Sequence, residues 1–268
     1  MTSEQLAWKI CRHDVEMTHI SGGSHIGAVM SIADIMGVLY ADVLHYRPEE
    51  PKWDGRDRLI LSKGHAGAAL YAALAECGFF PVEELLTYYQ NESRLSGHIS
   101  HKVPGIEMST GSLGQGFSVC VGMALANKMN QDPGRVYTLL GDGELQEGLI
   151  WEAAMAAGHY KLDNLVAIVD WNGLQIDGNN DDVITVKPID EKFAAFGFNV
   201  IVIDGHNFEE IFAAFDAARA CEGKPTAIIA KTHKGQGVSF MADQAGWHGK
   251  APNADEAKQA VEELGGEW

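Results

Sequence analysis

Two polar side chains that could bind a metal ion each follow an apolar segment of the chain. Asp142 lies in a Gly-Asp-Gly turn after residues 136–140, and Asn172 follows residues 165–169, 30 positions later. The carboxyl ends of neighbouring parallel strands meet at one sheet edge, so the two oxygens can converge there. Two protein oxygens suit Mg²⁺, which completes its octahedron with phosphate and water. Either turn alone is equally typical of a plain β-turn, but together they predict a magnesium and diphosphate site.

Four of the eleven histidines lie beside or near glycine in predicted loops or at predicted helix starts. Imidazole exchanges protons near neutral pH, so histidines that line a cavity can bind hydroxyl groups and assist proton transfer. A single loop histidine is more often a turn residue, and His206 after Gly205 is interpreted in that way. The four candidate catalytic histidines are His25, His65, His98 and His248.

These residues are joined by an alternation of apolar strands and helices. This alternation is typical of an α/β fold, a parallel β-sheet flanked by helices on both faces. No linker or repeat divides the chain, so we expect a single domain over residues 1–268. The last fifteen residues fit either a surface helix or a partly disordered tail. The predicted strands are residues 58–62, 136–140, 165–169, 199–203 and 226–230, and the predicted helices are residues 3–20, 28–43, 66–77, 117–130, 148–160 and 207–221.

The composition indicates a packed, acidic protein. The 268 residues are 46% hydrophobic and carry a formal net charge of −17. This balance argues against nucleic acid, whose binding depends on lysine and arginine. No apolar run reaches the roughly 18 residues that cross a membrane, and no signal peptide is recognised, so we expect a cytoplasmic protein. The four cysteines are 66, 43 and 101 residues apart, which is too far for a zinc motif and typical of reduced thiols.

A series of short motifs resembles those of the transketolase family, in the same order and over nearly the whole chain. The family's thiamine diphosphate motif is similar to Gly141-Asp142-Gly143 followed by Asn172. Ile26 stands where the family's His-Pro-Gly element has proline, which puts the pose of His25 in question. The other matching motifs are residues 24–27, 62–66, 97–98, 110–116, 143–148 and 247–249.

The resemblance implies the thiamine diphosphate-binding fold and two cofactors. These are thiamine diphosphate and Mg²⁺, for which Ca²⁺ or Mn²⁺ could substitute. Glu147 resembles the family's acidic residue at the dimer interface; its other interpretation is an acid favoured by the dipole at a helix N-terminus. By resemblance, the metal ligands are Asp142, Asn172 and the backbone carbonyl of Leu174, the cofactor contacts are His65, Gly111, Leu113, Asp142, Gly143 and Asn172, and the catalytic residues are His25, His65, His98, Glu147 and His248.

The matching motifs are those of the first domain of a transketolase, and we expect the family's activating carboxylate, which its next domain supplies, on another polypeptide. The resemblance therefore implies the N-terminal subunit of a split transketolase. Such a subunit needs a separate C-terminal transketolase subunit, and family likeness implies a heterotetramer with two copies of each chain. The enzyme would transfer a two-carbon ketol unit from a ketose phosphate to an aldose phosphate, as in the pentose phosphate pathway.

Three other functions stay open. One is a deoxyxylulose-phosphate synthase-like enzyme, because residues 231–237 resemble that relative; His233 would then enter the site or only shape the loop. Another is a transketolase specialised for a branched or sulfonated sugar. The third is a cofactor-binding module without catalysis, against which the retained histidines argue.

Overall fold

The apolar segments predicted as strands form a parallel sheet in the computed structural model, which describes residues Met1–Trp268. The strands are β1 (Arg58–Leu61), β2 (Val136–Gly141), β3 (Leu165–Trp171), β4 (Leu174–Gln175), β5 (Gly178–Asn179), β6 (Asn199–Asp204) and β7 (Thr226–Lys231). The five-stranded sheet has the order β1-β2-β3-β7-β6, and β4 and β5 form a separate antiparallel hairpin. All neighbouring strands of the larger sheet are parallel, so their carboxyl ends share one edge.

The register of the sheet brings the two predicted metal-binding turns together. Gly141 at the end of β2 pairs with Asp170 on β3. Asp142 and Asn172 therefore leave the sheet from adjacent strands at the same edge. The condition on which the predicted site depends, that the two strands are neighbours, is met.

Ten helices surround the sheet: α1 (Ser3–Ser21), α2 (Ile26–Met30), α3 (Ala33–Val38), α4 (Gly67–Glu76), α5 (Gln115–Asn130), α6 (Gly148–His159), α7 (Asn180–Val183), α8 (Ile189–Ala195), α9 (Phe208–Ala220) and α10 (Ala254–Glu263). Short 3₁₀ turns occupy Gly64–Ala66, Val82–Thr87, Gly143–Gln146 and Ala245–His248. None of the helices is both long and apolar enough to span a membrane.

Apolar side chains on both faces of the sheet are buried. Leu139 and Leu140 are consecutive on β2 and point to opposite faces. Leu139 belongs to a cluster of 52 buried residues shared with α1–α4, α9 and α10, and Leu140 to a cluster of 22 shared with α5, α6 and α8. The predicted α/β fold with helices on both faces is confirmed.

The single helix predicted over residues 28–43 is wrong. The backbone bends at Ser31, between α2 and α3, and α3 is followed by a π-helical turn at Leu39–Val43. The Ser31 hydroxyl donates to the carbonyl of Ala28 at 3.1 Å and to the carboxylate of Asp170 at 2.7 Å. Side-chain bonds of this kind compete with helical hydrogen bonds and bend helices. The bend ties α2 to the end of β3.

The C-terminal segment forms a helix, which is one of its two predicted states. Asn253 and Glu256 form a capping box at the start of α10. Ala257, Ala260 and Val261 are buried in the larger cluster. Helices α7 and α8 and the hairpin were not predicted, because each is too short to show a hydrophobic period.

Candidate active site

A cavity of about 320 Å³ opens at the carboxyl edge of the sheet. A larger open cleft of about 870 Å³, lined by parts of residues 50–58 and 101–107, contains none of the predicted site residues. The smaller cavity is therefore the candidate site. All eleven residues predicted to be catalytic, cofactor-binding or metal-binding line it: His25, His65, His98, Gly111, Leu113, Asp142, Gly143, Glu147, Asn172, Leu174 and His248.

Asp142 is a buried carboxylate at the end of β2, 2% exposed. Its Oδ1 accepts the N–H of Gly143 at 2.8 Å, and its Oδ2 accepts the N–H of Gly173 at 2.6 Å. Burial and the negative charge of Asp170 raise the pKa of Asp142 to about 6. Each carboxylate oxygen has a further lone pair. A cation bound there would compensate a charge that is costly to bury alone.

The side chain of Asn172 is oriented by Asp170. Asn172 Nδ2 donates to Asp170 Oδ2 at 2.9 Å, and Asn172 Oδ1 accepts the N–H of Leu174 at 3.1 Å. A carboxylate can only accept, so the amide nitrogen must face Asp170 and the amide oxygen must face the other way. The next residue, Gly173, bonds to Asp142. One hydrogen bond thus links the two segments that carry the predicted metal ligands.

The donor set at this edge fits Mg²⁺. Asp142, with its carboxylate, and Asn172, with its amide oxygen, line the cavity together with Leu174, the predicted source of a backbone carbonyl. Mg²⁺ prefers such oxygen ligands, with phosphate and water completing the shell. No group of three or more His, Cys, Asp or Glu side chains is arranged to hold a metal. The donor set is therefore unlike a zinc centre, which takes nitrogen and sulfur ligands.

Asp170 is the centre of a buried polar network beneath the cavity. Its Oδ2 accepts Lys63 Nζ at 2.5 Å and Ser31 Oγ at 2.7 Å, and its Oδ1 accepts the Thr232 hydroxyl. Lys63 also donates to the carbonyl of Ala28 at 3.0 Å. Burial would raise the pKa of Asp170, but the Lys63 ammonium and the hydrogen bonds together lower it. The carboxylate therefore stays ionised and can orient its neighbours.

Glu144 joins three segments at the wall of the cavity. Its Oε1 accepts the Ser62 hydroxyl at 2.5 Å and the Gly114 N–H at 2.8 Å, and its Oε2 accepts the Gly141 N–H at 3.1 Å. Burial raises the pKa of Glu144. The loop over residues 110–116 is thereby fixed against the ends of β1 and β2.

Four histidine rings meet in the cavity. The His25 ring centroid lies 5.1 Å from those of His65 and His248 and 5.7 Å from that of His98. Burial is the main cause that lowers the pKa of His25 to about 4 and of His248 to about 3. Burial also lowers the pKa of His65 well below its ordinary value. These three imidazoles are neutral at pH 7, and each offers one N–H donor and one acceptor.

His25 is held in an uncommon backbone conformation. Its φ of +79° is in the left-handed region, which non-glycine residues seldom adopt. Its N–H donates to the carbonyl of His248 at 2.9 Å, and Ser24 Oγ lies 3.0 Å from its Nδ1. Ile26, which replaces the family's proline, is fully buried at the start of α2. His25 therefore lines the cavity even though position 26 is isoleucine and not proline.

Lys234 is not among the residues predicted from the sequence, yet it lines the cavity. Its Nζ lies 2.9 Å from His248 Nδ1, which must accept, so the His248 proton is on Nε2. Burial, followed by the charge of Lys63, lowers the pKa of Lys234 to about 8. The adjacent His233 instead lies 3.0 Å from Asp243 and outside the cavity. Of its two predicted roles, the structure supports the shaping of the loop.

Glu147 lies exposed at the mouth of the cavity. It is the N-cap residue of α6, but its side chain makes no capping hydrogen bond. The carboxylate is therefore open to the space beyond this chain.

Four charged residues of the cavity are not among the predicted site residues, and each lies close in sequence to a residue that the sequence singles out. They are Lys63, two positions before His65, Glu144 after Gly143, Asp170, two positions before Asn172, and Lys234 after His233. Charged residues at strand ends beside a predicted ligand turn were the available signal.

Comparison with known proteins identifies the family. The sequence profile described as "Transketolase, thiamine diphosphate binding domain" matches residues 7–268. The chain belongs to the transketolase family. A solved transketolase from Leishmania mexicana superposes with a TM-score of 0.94 at 31% identity, covering 100% of this chain and 42% of that one. This chain is thus a thiamine diphosphate-binding transketolase domain, less than half the length of that solved transketolase.

Two relatives of similar length are themselves subunits of transketolases. A 6-deoxy-6-sulfo-D-fructose transketolase subunit from a Clostridium species is 46% identical over 244 residues, which are 91% of this chain and 89% of the relative. An apulose-4-phosphate transketolase subunit from Phocaeicola vulgatus is 43% identical over 250 residues, 93% of this chain and 89% of the relative. The predicted family, its N-terminal split-subunit type and the transferase class are confirmed.

Proposed function

We propose that this chain, with a separate C-terminal subunit, forms a transketolase whose sugar substrate carries a branch or a sulfonate. The names of the sulfofructose and apulose-4-phosphate relatives support this alternative over the ordinary pentose phosphates predicted first. The observation that carries the transketolase chemistry of the proposal is the convergence of Asp142, Asn172 and four histidine rings in one cavity. We further propose that residues 1–268 form one domain.

The proposed cofactor site lies at the carboxyl edge of the sheet. When bound, thiamine diphosphate supplies the carbon nucleophile that accepts and releases the two-carbon unit. Mg²⁺, or Ca²⁺ or Mn²⁺ in its place, would be held by Asp142, Asn172 and the carbonyl of Leu174. The residues that would contact the cofactor itself are His65, Gly111, Leu113, Asp142, Gly143 and Asn172.

The neutral histidines would bind the sugar and move protons. A neutral imidazole can donate to a carbonyl oxygen and accept from a hydroxyl group at pH 7. His248 has its proton on Nε2, because Nδ1 accepts from Lys234. We propose that His25 and His248 hold the reacting hydroxyl and carbonyl groups in this way, and that His98 also binds the sugar.

The anionic end of the sugar is assigned to the partner polypeptide. No arginine lines the cavity. Its two lysines are buried within this chain, Lys63 against Asp170 and Lys234 against His248. A phosphate or sulfonate at the mouth would meet Glu147, whose charge repels it. Cationic side chains for that group must therefore come from the other polypeptide.

We propose that the partner covers the mouth of the cavity, with Glu147 at the interface. The relatives are called subunits, which supports a second chain. An uncapped, exposed carboxylate there can accept a hydrogen bond from a carboxyl group across an interface when that carboxyl group is protonated. The proposed assembly contains two copies of each chain.

Reconstitution tests the proposal. The chain is purified alone and mixed with the product of the neighbouring open reading frame, with thiamine diphosphate and Mg²⁺. An aldose phosphate is supplied to accept the two-carbon unit. The donors are a 6-sulfo-ketose, a branched ketose phosphate, an unbranched pentulose phosphate and pyruvate, and release of the shortened aldehyde is measured for the three ketoses. We expect activity only in the mixture and only with the first or second donor. Full activity of the isolated chain would refute the proposal of a split enzyme. Preference for the pentulose phosphate would favour the ordinary pentose phosphate reaction predicted first. Consumption of pyruvate would support the synthase alternative.

A further inference from the structure

Two further histidines, His206 and His233, lie next to each other outside the cavity, just after the ends of β6 and β7. His206 has a largely buried side chain, 10% exposed. Its Nδ1 lies 2.8 Å from Asp34 Oδ2, and its Nε2 accepts the backbone N–H of His233 at 2.9 Å. A backbone N–H can only donate, so the imidazole proton is on Nδ1 and is donated to Asp34. Asp34 thus fixes the tautomer in which His206 holds the His233 backbone.

The residue after His233 is Lys234, whose backbone is anchored on both sides. On one side the His233 N–H donates to His206. On the other side the Gly235 N–H donates to the carbonyl of Gly27 at 3.1 Å. Between these anchors the Lys234 side chain passes Gly27, where a Cβ would lie 3.1 Å from Lys234 Cγ, and enters the cavity. Of the two anchors, the one at His206 is made by a side chain.

Gly205 allows His206 to reach this loop. Its N–H donates to the carbonyl of Lys231 at 2.7 Å, which extends the pairing of β6 with β7. A Cβ at Gly205 would lie 2.5 Å from Thr232 Cγ2 and could not be accommodated without movement. The close approach of the two strand ends places His206 over the segment that follows β7.

We propose that His206, oriented by Asp34, is a positioning residue that holds the His233–Lys234 segment so that the Lys234 ammonium reaches the cavity beside His248. His206 does not line the cavity and touches no reacting group. The proposal rests on the proposed function only for the presence of a diphosphate group in this cavity, toward which the Lys234 ammonium would be held.

Three substitutions at one position separate the acceptor from the size of the ring. His206→Gln keeps an acceptor near the place of Nε2, His206→Asn is too short to reach His233, and His206→Phe keeps a ring without an acceptor. Binding of inorganic pyrophosphate with Mg²⁺ to the full chain is measured by calorimetry. We expect about tenfold weaker binding for the Asn and Phe variants, as for one lost hydrogen bond, and near-native binding for the Gln variant. Equal binding by all three variants would overturn the proposal.

The matched control is His45→Phe. His45 also pairs with an aspartate, Asp57, but it is exposed and outside the cavity. Its substitution should leave pyrophosphate binding unchanged. A loss equal to that of His206→Phe would mean that any histidine–aspartate pair has this effect, and the proposal would fail.

A double-mutant cycle distinguishes positioning from a general structural role. Lys234→Met should weaken pyrophosphate binding, and adding His206→Phe should cause no further loss, because the group that His206 positions is already gone. Additive losses would show that His206 acts independently of Lys234.

Crystal structures of the His206→Phe and His206→Gln variants give a readout that needs no cofactor. The 2.9 Å contact between Lys234 Nζ and His248 Nδ1 should be lost in the first and kept in the second. An unmoved Lys234 in His206→Phe would overturn the positioning role. Failure of the native chain to bind pyrophosphate would instead count against the proposed function, while the crystal comparison would still decide the role of His206.

Discussion

Lys63 Nζ lies 2.5 Å from Asp170 Oδ2, and the two side chains are 2% and 0% exposed. The lysine comes from the turn after β1 and the aspartate from the end of β3, with β2 between them. Asp170 in turn orients Asn172. The pair thus links the stability of the sheet edge to the geometry of the predicted metal site.

Removing one member of this pair should destabilise the fold. Lys63→Met leaves the Asp170 carboxylate buried without its cation, which typically costs about 3–5 kcal/mol. Urea denaturation measures the change in unfolding free energy, with the exposed Lys52→Met as control. The double variant Lys63→Met/Asp170→Leu should lose less than the sum of the single variants. Strict additivity would show that the two charges do not interact.

Asp142→Asn should weaken metal-dependent cofactor binding. The substitution removes the negative charge and one of the two oxygens, both of which accept glycine N–H groups. We expect a loss greater than about tenfold in thiamine diphosphate affinity, the lower limit typical of changes outside a metal's own ligands. Titration calorimetry in Mg²⁺ makes the measurement, and the exposed Asp54→Asn is the control. Unchanged affinity would place the metal elsewhere.

His25 should make the protein less stable in acid. Its pKa is about 4 in the folded chain, below the ordinary value of about 6.5, so the unfolded chain binds the proton first. The contribution of neutral His25 to the free energy of unfolding is complete above pH 6.5 and is lost as the pH falls toward 4. His25→Asn removes this titration and tolerates the left-handed backbone. Urea denaturation at pH 7, 5.5 and 4 should show a smaller loss for this variant than for the native chain.

The exposed His159→Asn is the matched control, and its stability should follow that of the native chain over the same pH range. Parallel pH curves for the native chain and His25→Asn would contradict the assignment of the loss to His25.

Asp14→Asn should stabilise the protein above neutral pH. Asp14 on α1 is fully buried, and neither carboxylate oxygen has a hydrogen-bond partner. Burial raises the pKa of Asp14 well above the ordinary value of a carboxyl group. The free energy of unfolding therefore falls as the pH rises from the ordinary pKa to the raised one, and it stays low at higher pH. An uncharged amide avoids this loss, and we expect a gain of about 1–3 kcal/mol at pH 8 that shrinks toward pH 4. Thermal unfolding at both pH values makes the test; an equal gain at both would rule out ionisation as the cause.

Much of the sheet could be predicted from the sequence because its strands are continuous apolar runs. Residues 136–140 and 165–169 lie within β2 and β3. Parallel strands place their carboxyl ends together, so Asp142 and Asn172 were expected at one edge on the condition that their strands are neighbours, which the structure shows for β2 and β3. The roles of the eleven lining residues rest on family resemblance and stay predictions.

The contacts that organise the site could not be predicted, because they join distant parts of the chain. Lys63 and Asp170 are 107 positions apart, and no local pattern connects them. The bend at Ser31 also depends on Asp170, since its hydroxyl bonds to that carboxylate. Lys234 is buried although it follows an exposed histidine, and nothing in the neighbouring sequence indicates that burial.

The lack of arginine around the cavity has an evolutionary consequence. If recognition of the sugar's anionic tail resides on the second polypeptide, replacing that polypeptide changes substrate preference while this one keeps its chemistry. A bacterium could then acquire the ability to degrade a new sugar by altering a single gene. We expect a hybrid enzyme, assembled from this chain and the second polypeptide of another transketolase, to have the substrate preference of that second polypeptide.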